Sequence, residues 1–103
     1  MATRSILVEA TIPVDHARAQ AVFAAAANVT RLRVLCELCD GELSVTELCE
    51  RIEIASATLS QHLSVLRHAR LVLQRREGIY VFYRLAPVVT ERLMLFVYRN
   101  FDM

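Results

Sequence analysis

The sequence predicts a mainly α domain with one β-hairpin, its elements running α-α-α-α-β-β-α. Three observations predict it. Large apolar residues recur at helical spacing from Val22 to Leu66. Two β-rich runs then lie between Leu71 and Leu85, with Gly78 between them. A broad apolar face of helical period resumes from Val88 to Val97.

A chain of 103 residues makes one small domain. Residues 1–12 show no clear period and are expected to form a flexible arm ahead of a single domain over 13–103. Pro13 suits the first turn of helix one, with Asp15 close behind. The alanine-rich run Ala17 to Ala27 continues that helix, anchored by Val22 and Phe23. Asn28 breaks it, and Thr30 is the expected cap of helix two, whose apolar face is Leu32, Leu35, Cys36 and Cys39. Asp40-Gly41 ends that helix. Ser44-Val45-Thr46-Glu47 is a capping box, followed by Leu48 and Ile52 on a short helix three. A polar break at Ala55-Ser56-Ala57-Thr58 precedes Leu59, Leu63 and Leu66, which mark helix four. The hairpin pairs Leu71–Arg76 with Ile79–Leu85, and Tyr83 is assigned to the core. Pro87 opens the last helix.

A short capped helix, a brief turn and a longer helix make a helix-turn-helix, and a hairpin directly after it makes a wing. In this winged helix-turn-helix the opposite face of helix four carries Ser56, Thr58, Ser60, Gln61 and His62, with Ala57 among them and Arg67 further along. These side chains can reach base edges or phosphates: Gln61 can pair bidentately with adenine, and hydroxyls and His62 can bond phosphate. An idle solvent-facing helix would also be polar, but it usually carries Lys and Glu, and this face is uncharged. The N-terminal ends of helices three and four favour phosphate through unpaired amides, where Ser44 and Thr46 can assist. In the wing, Arg75 and Arg76 flank the turn beside Tyr80, placed to grip phosphate or enter the minor groove.

Charge follows the same division. The net charge is only +1, but six acids and one arginine lie between Glu37 and Glu53, whereas five arginines and one acid lie between Arg67 and Arg84. Either two ordinary solvated faces or a local basic face that attracts phosphate accounts for this. Hydrophobic residues make up 55% of the chain, more than so small an interior can hold, so some are expected to face a second copy. Apolar runs fall short of the roughly 18 residues of a membrane span. With an odd set of three cysteines and no secretory signal, the expected setting is a reducing cytoplasm with free thiols.

The runs Arg31–Leu35, Gly41–Leu48, Thr58–Arg67, Arg76–Gly78 and Tyr83–Leu85 together resemble the ArsR/SmtB family of repressors across about three-quarters of the chain. The resemblance implies a homodimer built from the first and last helices, with Val22, Phe23, Leu93, Phe96 and Val97 as interface residues. It also implies binding of double-stranded operator DNA at a palindrome, and an inducer that releases it. Two residues depart from the family pattern: Ala55 stands where a capping serine is common, and Arg70 where glycine often ends the recognition helix.

The family's Cys-Val-Cys metal site falls on Ser44-Val45-Thr46, and its last-helix site retains only Glu91, so neither metal site is expected and no cofactor is required. Cys36 resembles the first redox cysteine of the sulfide- and oxidant-responsive BigR and HlyU branch, whose second cysteine is missing here; Phe101 lies in that region. Cys36, Cys39 and Cys49 therefore leave three readings: core packing, sulfur or redox sensing, or a three-thiolate site for a metalloid such as arsenite. A winged-helix module that binds protein instead of DNA is the alternative function. An enzyme is not expected, since no cysteine has a base beside it to activate it.

Overall fold

The computed structural model describes residues 13–103. The expected arm at 1–12 lies outside the described residues. In order, the described chain forms α1 (His16–Ala26), α2 (Val29–Glu37), a 3-10 turn (Leu38–Asp40), β1 (Leu43–Ser44), α3 (Val45–Ile52), α4 (Ser56–His68), β2 (Val72–Glu77), β3 (Tyr80–Leu85) and α5 (Val89–Asn100). The expected order is present, with one strand added: Leu43–Ser44 pairs antiparallel with β3, Leu43 opposite Tyr83 and Ser44 opposite Phe82. Two residues are too short to show alternation, so sequence periodicity had nothing to register.

The helix starts differ in detail from expectation, each because a side-chain oxygen takes an end amide. Asp15 caps α1 by accepting from Arg18 N at 2.9 Å, so Pro13 precedes the helix. Asn28, not Thr30, caps α2 by accepting from Arg31 N at 3.0 Å. The box on α3 is complete: Glu47 N donates to Ser44 Oγ at 3.1 Å and Ser44 N donates to Glu47 Oε1 at 2.8 Å. Ser56, Ala57 and Thr58 form the first turn of α4 and are not a break before it. Pro87 stands ahead of α5, which starts at Val89.

Both helices of the helix-turn-helix stop without glycine. Glu53 ends α3 at φ 60°, and Ile54 N reaches back to Cys49 O at 3.3 Å. Arg70 follows α4 at φ 61°; Arg70 N bonds Arg67 O at 3.0 Å and Leu71 N bonds Leu66 O at 2.9 Å. This is the Schellman pattern, which needs a left-handed residue and normally takes glycine because a Cβ is crowded there. Glycine does serve the wing turn, where Gly78 at φ 61° leads the two-residue loop between Glu77 and Tyr80.

The sheet order is β1-β3-β2. The core collects Val34, Leu35 and Leu38 of α2 and its turn, Leu48 of α3, Leu59, Leu63 and Leu66 of α4, and Leu71 and Val72 at the wing's root. Tyr83 is buried as expected. Thr90, 0% exposed, ties α5 to this core: its Oγ1 donates to Leu71 O at 2.8 Å, an oxygen that also accepts from Ala86 N at 3.0 Å.

Candidate nucleic-acid interface

The core residues Leu59, Leu63 and Leu66 fix the rotation of α4 and turn its polar positions outward. Those positions divide in two. Ser56, Ser60, Ser64 and Arg67 face the wing and, with Thr46 of α3 and Gln74, Arg76, Ile79 and Tyr80 of the hairpin, line a groove of about 400 Å³. Ala57, Thr58 and Gln61 are exposed outside it. The first turn of α4 receives no side-chain cap, since Ala55 offers none. The box on α3, by contrast, engages the amides of Ser44 and Glu47, so of the two helices of the helix-turn-helix α4 is the one without a side-chain cap. Ser44 also lines the groove, although it is only 8% exposed and its hydroxyl accepts from Glu47 N.

Strand alternation separates the two wing arginines. Gln74 and Arg76 lie on the groove side. Arg75 lies on the other. Its Nε and Nη2 donate to Glu42 at 3.1 and 2.7 Å, its Nη1 donates to Glu77 at 2.6 Å, and its guanidinium sits 4.4 Å from the centre of the Phe82 ring. Of the two wing arginines expected to grip phosphate, Arg75 is thus already paired with two carboxylates, which tie the wing to the loop before α3, whereas Arg76 lines the groove. The pairing holds the Glu42 carboxyl below the usual carboxylate range. On the groove side, Arg67 Nη1 donates to Gln74 Oε1 at 2.9 Å and Gln74 Nε2 donates to the Tyr83 hydroxyl at 2.8 Å, bridging α4 to the hairpin. His62 is half-buried on the other flank of α4, its Nδ1 3.4 Å from Arg31 Nη1.

Ser64, Gln74 and Ile79 belong to the groove and escaped the sequence reading. Ser64 stands one turn beyond Ser60, and the period of two puts residues 74 and 76 on one face, so both signals were present. Ile79, 89% exposed at the wing tip, is visible only in the fold.

Residues 28–73 match the family model described as bacterial regulatory protein, arsR family. The chain is 42% identical over 85 residues to the transcriptional activator HlyU of Vibrio cholerae, covering 82% of this chain and 79% of that protein. The chain belongs to the ArsR family. It is 45% identical over 75 residues to the biofilm growth-associated repressor of Agrobacterium fabrum, 73% of this chain but only 64% of that repressor's length. The structure of Vibrio cholerae HlyU superposes with a TM-score of 0.82 at 39% identity, over 87% of this chain and 98% of that one. The homodimeric winged helix-turn-helix DNA-binding domain Mb0332 of Mycobacterium bovis gives 0.75 at 27% identity, over 89% and 97%. In this ArsR-family regulator the groove and the outer face of α4 lie on the helix-turn-helix and wing of the winged-helix fold.

The remaining assigned residues lie on α1 and α5 and among the cysteines. Phe23 of α1 (64% exposed) and Phe96 of α5 (56%) line one apolar hollow with Val89 and the half-buried Leu93. Val22 lines the same hollow from its floor, 6% exposed and packed on the core; Val97 is half-buried against that core. Leu95, Tyr98 and Phe101 are exposed as well.

The cysteines are free. Cys36 packs half-buried on the core, and the exposed Cys39 donates to Leu35 O at 3.3 Å. Tyr98 of α5 lies against both: interaction with the Cys36 sulfur, then burial, raises its hydroxyl above the usual phenol range. Burial pushes the Cys39 thiol up, opposed by its bond to Tyr98. Among the described residues no three His, Cys, Asp or Glu side chains converge as metal ligands, so the three-thiolate site is not assembled. Among them, too, no helix is long and apolar enough to cross a membrane.

Proposed function

We propose that the chain is a sequence-specific transcriptional repressor that binds a palindromic operator as a homodimer and is released by a thiol-reactive sulfur or oxidant species. The observation that carries the DNA reading is the division of α4: an uncharged outer face of Ala57, Thr58 and Gln61 beside a groove rimmed by Arg67 and Arg76. The outer face suits base edges, which are read by hydrogen bonds and methyl contacts. The arginines and the uncapped first turn of α4 suit phosphates. The apolar hollow between α1 and α5 supports a second copy as its cover, since patches of exposed aromatics and aliphatics mark association surfaces. The contact of Cys36 and Cys39 with Tyr98 supports the inducer: a group added to either sulfur would push on α5, the helix that carries the proposed dimer face.

The test is a gel shift against DNA upstream of its own gene, with and without persulfide, peroxide and arsenite, repeated on a variant with all three cysteines replaced by serine. Retarded bands that persulfide or peroxide releases only in the wild type support the proposal. Release that survives in the triple variant removes the thiol mechanism. Binding that is absent, or indifferent to salt, removes the DNA reading in favour of a protein partner.

A further inference from the structure

We propose that Arg31 is a positioning residue for DNA contact, fixing the His62 ring so that its Nε2–H faces outward as a hydrogen-bond donor to a backbone phosphate. This rests on the DNA reading above and adds a residue outside the reading helix. Three observations meet at Arg31. Its Nε donates to Ala25 O at 2.6 Å and its Nη2 to Ala24 O at 3.4 Å, in the last turn of α1, where helix carbonyls lack partners within their own helix. Its Nη1 stands 3.4 Å from His62 Nδ1. Its own backbone amide is held by the Asn28 cap, so the start of α2 anchors the whole side chain.

The tautomer follows from elementary chemistry. A guanidinium carries donors and no acceptor, so the ring nitrogen that faces it must be unprotonated. In a neutral imidazole the proton then sits on Nε2. Nε2 lies at the far edge of the ring, away from Arg31, and His62 is only half-buried on the flank of α4 away from the wing. Without Arg31 the two tautomers compete, and the ring is free to turn an acceptor toward a phosphate oxygen, which repels it. Arg31 thus joins the end of α1, the helix of the proposed dimer face, to the α4 side chain that would touch the backbone.

The experiment reads the His62 ring directly. Long-range nitrogen–proton NMR spectra of the whole protein should show the Nε2–H tautomer in the wild type and a mixture in Arg31→Met. Duplex DNA from upstream of the gene should bind Arg31→Met about tenfold or more weakly, the loss of a hydrogen bond to a charged group in each protomer. His62→Gln places an amide donor where Nε2 stands and should bind nearly as the wild type; His62→Asn should not. In the His62→Gln background the Arg31→Met loss should disappear, which a general structural role for Arg31 does not predict. An Nδ1–H tautomer in the unaltered protein overturns the proposal even if Arg31→Met fails to fold, as does an Arg31→Met loss that persists in the His62→Gln background. If no variant and no wild type binds the duplex, the DNA reading itself fails, and the tautomer still decides the Arg31–His62 contact.

Discussion

Replacing Arg75 and Arg76 one at a time should give unequal effects on DNA binding, although the two residues are neighbours. Arg76 faces the groove, whereas Arg75 faces away and is held by Glu42 and Glu77. Each phosphate contact releases counterions and adds about 0.9 to the slope of log affinity against log salt, so a homodimer that loses Arg76 loses roughly 1.8. A fourfold rise in salt should then weaken the wild type about twelvefold more than Arg76→Ala. Arg75→Ala should leave the slope nearly unchanged. It does strand two carboxylates near the wing, which lowers affinity somewhat at low salt, within a screening length of about 10 Å at 0.1 M. The Glu42→Gln/Arg75→Gln pair restores the charge balance and should recover that loss. Fluorescence anisotropy with a labelled duplex, titrated at several salt concentrations, measures all four proteins. A slope that falls as far for Arg75→Ala as for Arg76→Ala would refute the assignment of the two arginines to opposite faces.

Gln61→Ala should cost about 1–3 kcal/mol on the preferred sequence and much less on altered ones, read by competition among single-base variants of the operator. Thr90→Val removes a buried hydroxyl but leaves Leu71 O its bond from Ala86 N, so it should destabilise by about 1 kcal/mol, the lower end for a buried hydrogen bond, seen as a lower denaturation midpoint with an unchanged m-value. Arg70→Gly should stabilise by about 0.5 kcal/mol, since relief of roughly 1–2 kcal/mol of left-handed crowding exceeds the extra entropy glycine loses on folding. Glu42 and Glu47 are both held below the usual carboxylate range, Glu42 by Arg75 and Glu47 by the Ser44 amide and hydroxyl. Groups with lowered folded values add stability above their unfolded value and lose it as pH falls through the folded one. Thermal midpoints of the wild type should therefore drop on acidification below the normal carboxylate range, and a Glu42→Gln/Glu47→Gln variant should show a shallower drop.

Much of this fold can be read from the chain because its signals are local. The Ser44–Glu47 box, the 59/63/66 spacing and Gly78 each determine a nearby conformation by short-range sterics or hydrogen bonding, and each appears where expected. Helix starts were harder, since Asp15, Asn28 and Thr30 are all competent caps and only the surrounding packing chooses among them. The site was legible on α4, where one helix carries the whole polar face. It was less legible where partners lie far apart in sequence: Arg75 meets Glu42 across 33 residues, and Arg31 meets His62 across 31. Val22 illustrates the same limit, because the helical spacing of an apolar residue does not say whether its own core or another surface covers it.

The carbonyl oxygen of Leu71 has a consequence for how a signal could travel. Three segments converge on that one atom: it belongs to the residue joining the reading helix to the wing, and it accepts from the close of β3 and from the start of α5. A buried oxygen cannot shed both donors without a heavy penalty. A displacement of the last helix therefore either draws the hinge of the wing along through the Thr90 hydroxyl or gives up that one bond first, with Ala86 N still holding the oxygen, which makes this spot a fulcrum between the last helix and the wing.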